Sequence, residues 1–366
     1  MKKVLLCSPY NSTINTPGGI SVWAQNIVSY NKEHNEEIII EVISTDRSKP
    51  MNENTGKLKR LYYGVKDYLG FIKQIRKKLD TKQYDVIHIN TTASISSLKD
   101  LVICRIAKKR GVKTVLHYHF GRIPELIIQN NWEWKLLHKA ITTCDMAIVM
   151  DNMSYDALCG IGITHVVNIP NPYSPALEHQ IEKLKGSIKR VPKRVLFVSR
   201  VFRKKGIYEL VEACNKISNI TLRVVGSYEE SDKQNLLNMA KEGNWLDFVG
   251  PVPHDKVLEE LMACDLFVLP TYTEGFPNAI LESMLCEAPT IVTPVGAIPQ
   301  MLDFAGEPCG YSIRPQNVDD IVNAILDLLN DNKKKIEMTE RGVKRVKENY
   351  SLSAVCQHLY SVWYMV

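Results

Sequence analysis

Two glutamates eight residues apart, Glu274 and Glu282, flank Gly275, Phe276, Pro277 and Asn278 in the stretch TYTEGFPNAILE. A glycosidase uses two carboxylates as acid and nucleophile. A loop that runs into a helix can instead use them to hold hydroxyl groups. The stretch follows the apolar run DLFVLP, so Glu274 falls in a loop, and Pro277 fits the first turn of a helix running through Glu282. Backbone amides around Gly275, Phe276, Asn278 and Ala279 then emerge at a helix amino terminus, where phosphate or sugar hydroxyls can be held. Spacing leaves Glu282 open between a site residue and a helix-surface carboxylate favoured by the dipole.

Three further groups carry candidate chemistry. In SRVFRKKG, Arg200 and Lys205 follow the run RVLFV, and Gly206 opens a helix. An arginine fork and a lysine point charge at a strand-to-helix turn suit a diphosphate, while Arg203 and Lys204 read as solvated. In HYHFG, His117 and His119 end a strand; they are expected on opposite faces, His119 toward the site and His117 as a satisfied core residue. In TPGGISVW, Gly18 and Gly19 stand where backbone can approach a ligand closely, although a tight turn explains them equally well. No G-x-G-x-x-G occurs at that turn, against a nicotinamide dehydrogenase. Neither a D-x-D triplet nor a C-x-x-C pair is present, and no metal ligand set is expected.

The elements that must position these groups come in two series. Valine- and isoleucine-rich runs (VLLCSP, IIIEVIST, DVIHINT, TVLHYHF, MAIVM, VVNIP) alternate with helical patterns, and the rhythm restarts after residue 193 with RVLFVSR, TLRVVGS, LDFVGP, DLFVLP and TIVTPV. Unbroken apolar runs of this length read as strands buried on both faces, hence parallel β-α-β units and two doubly wound α/β domains. Residues 171–194, bounded by prolines, read as the linker, and a cleft between the halves is the default ligand site.

The nine cysteines are scattered and several sit in apolar runs, so they read as reduced core residues of a cytosolic protein. Neither a signal peptide nor a membrane span is expected. The net charge of +6 is concentrated: residues 57–83 hold nine Lys/Arg against two Asp. Leu61, Val65, Tyr68, Ile72, Ile75 and Leu79 form one helical stripe there, with Lys66, Lys73 and Lys77 beside it. Core packing and contact with an anionic membrane surface fit this pattern equally.

The ordered set VSRVFRKKGIYELVEA, VVGSYEE and FVGPVPHDKVLEELMACDLFVLPTYTEGFPNAILESMLCEAPTIVTPVGAIPQML resembles the donor domain of retaining GT-B glycosyltransferases of family 4 (glycosyl transferases group 1). PGGI, DVIHIN, HYHFG and VNIPNPY extend the likeness more loosely into the first half. The resemblance implies α/β GT-B architecture: an acceptor-side Rossmann-like domain at 1–172, a nucleotide-sugar-binding one at 173–349, and a helix at 350–366 crossing back to the first, with Tyr360, Trp363 and Tyr364 as core.

By the same resemblance, a sugar moves from a UDP- or GDP-linked donor to a glycan or lipid-linked acceptor with retention and without metal or cofactor. Arg200 and Lys205 bind the diphosphate, Glu274 the transferring sugar and Glu282 the ribose. Gly275, Phe276, Pro277 and Asn278 form the loop meeting sugar and phosphate; Gly19 approaches the diphosphate, and His119 lies near the sugar. Polysaccharide assembly at the inner face of the cell membrane, by a cytoplasmic or peripheral protein that binds no nucleic acid, is the implied setting. A GT-B-like nucleotide-sugar epimerase and a non-catalytic nucleotide- or glycan-binding subunit are the alternatives.

Four departures from the family pattern stand out: VVGSYEE lacks a second glycine, Asn90 replaces a frequent histidine, Gln300 replaces a glutamate, and Glu287 stands where glycine often caps a helix. The last implies a turn other than the left-handed one.

Overall fold

A computed structural model describes residues 1–10, 19–46, 57–81, 83–92, 94–241 and 243–366, with the side chains of 57–62 and 65 set aside. The chain divides into two units, Met1–Pro172 with Leu352–Val366, and Tyr173–Ser351.

In the first unit the order is β1 (Lys2–Ser8), α1 (Gly19–His34), β2 (Ile38–Ser44), α2 (Lys57–Thr81), β3 (Val86–Thr91), α3 (Ser96–Lys108), β4 (Lys113–Tyr118), α4 (Ile123–Gln129), α5 (Trp132–Ile141), β5 (Met146–Val149), α6 (Asn152–Gly160) and β6 (Val166–Asn168). The second unit holds α7 (Pro175–Leu184), β7 (Arg194–Val198), α8 (Ile207–Cys214), β8 (Thr221–Val225), α9 (Glu230–Met239), β9 (Leu246–Gly250), α10 (His254–Ala263), β10 (Leu266–Leu269), α11 (Asn278–Leu285) and β11 (Thr290–Val292). It continues through α12 (Ile298–Met301), β12 (Asp303–Phe304), β13 (Glu307–Pro308), β14 (Tyr311–Ser312), α13 (Val318–Asn330) and α14 (Asn332–Asn349); α15 (Leu352–Met365) then rejoins the first unit.

The first sheet runs β2-β1-β3-β4-β5-β6 and the second β14-β11-β10-β7-β8-β9, and every pairing within both is parallel. Strand order reverses between β1 and β3 in one sheet and between β7 and β10 in the other. At such a switch point the loops beyond the strand ends part and leave a crevice.

Helices cover both faces of the first sheet, as the continuous apolar strands require. Leu5, Cys7, Ile87 and Leu116 pack into a core with α2 and α3 residues such as Ile75 and Leu101, whereas Val4, Leu6, Val86 and Val115 pack with Trp23 of α1 and Trp363 of α15. Tyr68, Phe71, Ile72, Ile75 and Leu79 of α2 turn into the first of these cores, while Lys66, Lys73 and Lys77 are exposed. The described part of the α2 stripe is therefore core; the side chains of Leu61 and Val65 lie outside the described residues. Trp363 is fully buried, but Tyr364 is half-exposed and donates to Glu37 at 3.1 Å, so it is not the core residue anticipated.

All nine cysteines are free and eight are buried; Cys159 is the exposed exception. Among the described residues no helix is long and apolar enough to cross a membrane.

Glu287 corrects the anticipated turn after α11. It adopts the left-handed conformation itself, at φ +58°. Its N–H reaches the Met284 carbonyl at 3.1 Å and the Ala288 N–H reaches Ser283 at 2.8 Å, the paired bonds of a Schellman cap. Lys185 holds the Glu287 carboxylate at 2.8 Å and Arg190 its carbonyl at 2.5 Å, so two cations supply what glycine would otherwise make easy.

Candidate active site

At the switch point of the second unit, the loops after β7, β10 and β11 are laced together. Gly206, at φ +74°, sits so close to β10 that a Cβ would lie 1.9 Å from the Pro270 carbonyl oxygen. Only glycine allows this approach. With the two loops this near, the Tyr272 N–H donates to the Lys204 carbonyl at 2.8 Å, and the Thr271 hydroxyl lies 3.3 Å from the same oxygen. From the β11 side, Thr293 donates to the Thr271 carbonyl, and the Ala297 N–H donates to Gly275 at 3.0 Å. Gly296, at φ +58°, leaves room for this packing, since its Cβ would fall 2.1 Å from the Glu274 carbonyl oxygen.

This scaffold brings Lys205 onto Glu274. The ammonium donates to Oε1 at 2.5 Å, with the side chains 20% and 12% exposed. A lysine has three N–H donors, so two remain for a further anion, and Glu274 keeps a second oxygen. Arg200 is not drawn into this pair. Its side chain is 67% exposed and stands 3.7 Å from Glu229. Arg203 is also largely solvated, 3.9 Å from Glu209, which accepts the Tyr272 hydroxyl at 2.5 Å.

Helix α11 begins at Asn278, with Pro277 one position earlier than anticipated, as its cap; no side chain caps the helix. Asn278 is exposed, Gly275 and Ala279 are half-buried, and the Phe276 ring packs against Tyr350 at 5.8 Å. Phe276 thus offers its backbone to the loop mouth while its ring faces the core.

Glu282 lies near the middle of α11. Its Oε1 is 3.0 Å from Nε2 of His254, and this bond to the carboxylate raises the imidazole above its ordinary range. The two glutamates therefore face different partners, Lys205 on the loop after β7 and His254 at the start of α10. His254 was not anticipated; the signal was its place at the first position of a helix in VPHDK. Gly296 was also missed, although it lies just after a strand in TIVTPVG. Gln300, the replacement for glutamate, is used through its backbone carbonyl, which accepts from Arg345 at 2.8 Å and Tyr350 at 3.2 Å. At the missing second glycine of VVGSYEE, the Tyr228 ring lies edge-on to Phe248 at 5.5 Å.

The switch point of the first unit has another character. His88 of β3 is buried, and each of its nitrogens has a partner. Trp363 Nε1 can only donate, so His88 Nδ1 accepts at 3.0 Å. His88 Nε2 then carries the proton and donates to Asn90 Oδ1 at 3.2 Å; Asn90 donates to Ser8 at 2.9 Å, and Ser8 to the Pro9 carbonyl at 3.1 Å. One direction runs through the whole chain, from α15 to the end of β1. Burial pushes His88 down to about 3, so it stays neutral.

His117 and His119 meet instead of parting. Residues two apart on a strand share a face, and their rings stack with centroids 4.1 Å apart. Trp23 of α1 sets its edge against both, at 5.0 and 5.3 Å. His117 is fully buried, and neither of its ring nitrogens has a hydrogen-bond partner among the described residues, so it is not the satisfied core histidine expected. His119 is partly buried, and burial lowers it to about 3. Gly19 begins α1 with open space around the missing side chain, and Gly18 lies outside the described residues.

Among the described residues no group of three His, Cys, Asp or Glu side chains is placed to hold a metal ion.

Comparison with known proteins places this arrangement. The family model described as Glycosyltransferase Family 4 matches residues 17–177, and that described as Glycosyl transferases group 1 matches residues 180–345. The chain belongs to glycosyltransferase family 4. It is similar to an uncharacterized glycosyltransferase of Haemophilus influenzae, 22% identical over 314 residues and covering 83% of each chain. It is also similar to the capsular polysaccharide biosynthesis glycosyltransferase CapM of Staphylococcus aureus, 28% identical over 179 residues, which span 46% of this chain and 44% of CapM. Among solved structures, Anabaena HepE in complex with UDP superposes with a TM-score of 0.72 at 17% identity, over the full length of both chains. This glycosyltransferase therefore has the GT-B fold and is related to enzymes of capsular and polysaccharide biosynthesis.

Proposed function

We propose that this glycosyltransferase moves a hexosyl or N-acetylhexosaminyl group from a UDP- or GDP-linked donor to a hydroxyl of a glycan or lipid-linked acceptor, with retained anomeric configuration. It works in polysaccharide assembly and uses no metal or other cofactor. The observation that carries this reading is the Lys205–Glu274 pair at the β7/β10 switch point, a cation and a hydroxyl acceptor fixed side by side. The UDP held by HepE in the same fold supports a uridine nucleotide.

In this reading Lys205 and Arg200 meet the diphosphate, joined by the amides at the start of α11. They stabilise charge that grows on the leaving group as the glycosidic bond breaks, the kind of term that dominates such reactions. Glu274 orients the transferring sugar and Glu282 the ribose. Neither acts as nucleophile, since attack comes from the acceptor hydroxyl on the face the diphosphate leaves, with a donor phosphate oxygen taking its proton. Lys66, Lys73 and Lys77 on the exposed side of α2 suit transient contact with an anionic membrane face, each worth about 1 kcal/mol there.

Slow hydrolysis of a panel of UDP-, GDP- and ADP-sugars, with and without chelator, tests the donor and the metal independence. Consumption of one UDP- or GDP-sugar at an unchanged rate in chelator is expected, and NMR should show the anomer retained in the released sugar. Activity that appears only with added magnesium, or inverted product, contradicts the reading.

A further inference from the structure

Three imidazoles crowd the first unit's switch point, and the fold treats them unequally. His88 uses both nitrogens in the one-way chain from Trp363 to Ser8. His117, whose ring centroid is 5.4 Å away, uses neither among the described residues. The indole Nε1 of Trp23 and Nε2 of His119 are likewise buried and without partners among the described residues. These four atoms belong to three rings in mutual contact, at 4.1, 5.0 and 5.3 Å. Buried polar atoms almost always find a partner, so four orphans in one aromatic cluster mark a partner that arrives from outside.

The chemistry of that partner follows from what the four atoms can do. A neutral imidazole offers one donor and one acceptor, and an indole offers a donor only. His117 therefore presents one of each, Trp23 a donor, and His119 its Nε2. Among the described residues no cation belongs to the cluster, which counts against phosphate or carboxylate. Burial keeps the imidazoles neutral, His117 well below its ordinary range. A sugar hydroxyl, which donates once and accepts twice, matches this mixture.

We propose that His117 is a ligand-contacting residue which, with Trp23 and the outer ring of His119, binds the hydroxyls of an uncharged sugar. His119, the less deeply buried ring stacked on His117, turns about its side-chain bonds to admit the ligand. The proposal deepens the transferase reading and rests on it; the sugar is either the one being transferred or that of the acceptor.

His117→Phe keeps the stacked ring and removes both nitrogens. With orphaned polar atoms gone, the melting temperature should stay level or rise, while turnover of the identified nucleotide-sugar falls at least tenfold. His117→Gln, which restores a donor and an acceptor, should recover part of that loss. In protein carrying ¹⁵N-histidine, UDP alone should leave the His117 ring nitrogens in place. A shift on adding the UDP-sugar assigns the site to the transferring sugar; a shift only when a methyl glycoside joins the UDP complex assigns it to the acceptor sugar. His117→Phe with wild-type turnover, or His117 nitrogens unmoved by every addition while UDP binds, would mean ordered water only and overturn the proposal. Failure of any nucleotide to bind the wild type would instead overturn the transferase reading.

Discussion

The two switch points of this glycosyltransferase are built on the same topological principle and finished in opposite ways. In the second unit, each glutamate meets a basic side chain: Lys205 holds Glu274, His254 holds Glu282, and glycines at 206 and 296 let three loops press together. In the first unit the groups are neutral, and two of the three imidazoles have buried ring nitrogens without partners among the described residues. A site that must hold a dianionic leaving group needs fixed charges organised before the ligand arrives. A site that recognises hydroxyls can leave its donors and acceptors open until it is filled.

The sharpest way to break this contrast is to remove its cation. Lys205→Ala should lower donor turnover by about 10²–10³-fold, as loss of one fixed stabilising group at a developing charge commonly does. Lys205→Arg should restore only part of it, because a flat fork cannot sit where a compact ammonium contacts Glu274. Wild-type-like kinetics for the alanine variant would remove Lys205 from the site.

Next in size is the backbone clamp. Gly296→Ala places a Cβ against the Glu274 carbonyl at a positive φ, and strain of this kind costs on the order of 1–3 kcal/mol. Denaturation and nucleotide thermal shift should show a destabilised protein with weakened UDP binding. Alanine here with unchanged stability would mean that the loops do not meet as described.

The neutral cluster should announce itself in the pH dependence of stability. His88 titrates near 3 when folded and near 6.5 when unfolded, and burial drives His117 the same way. Between those values the unfolded chain binds the extra protons, so stability is lost as pH falls below about 6.5. Each imidazole contributes roughly 1.4 kcal/mol per pH unit. Asp100, raised by burial to about 6, titrates in the opposite sense, so the telling comparison is wild type against His117→Phe. The variant should lose stability less steeply between pH 6 and 4. Identical slopes would show that His117 is not held neutral.

The smallest expected effect is at His254. Its removal frees Glu282 from a half-exposed partner, and His254→Ala should alter donor affinity only a few-fold. The change should be larger below the raised pKa of His254, where the wild-type pair is charged, than above it. A loss as large as that of Lys205→Ala would give His254 a direct place on the ligand.

Much of this was legible in the chain because it follows from local pattern. The doubly wound units could be read from unbroken apolar runs, and the placement of Lys205 and Glu274 in neighbouring loops from their position just after such runs. What could not be read was pairing across loops. Glu274 and Glu282 look alike as neighbours in sequence, and only the folded loop after β7 and the start of α10 assign one to Lys205 and the other to His254. Glycine identity did not reveal that Gly296 abuts Glu274, because that contact spans 22 positions. Glu287 adopts a glycine's conformation because Lys185 and Arg190, about a hundred residues earlier, hold it there. The error over His117 and His119 was one of period, since residues two apart share a face; the orphaned state of His117 is visible only once α1 and its Trp23 are in place.

The central claim is that the nucleotide diphosphate is held by the second unit, between the loops after β7 and β10. Amide hydrogen exchange with and without UDP, in chelator, tests it most directly. Protection should appear at residues 200–206 and 274–279, with none at 113–119. Protection confined to the first unit, or present at 200–206 only when magnesium is added, would contradict it.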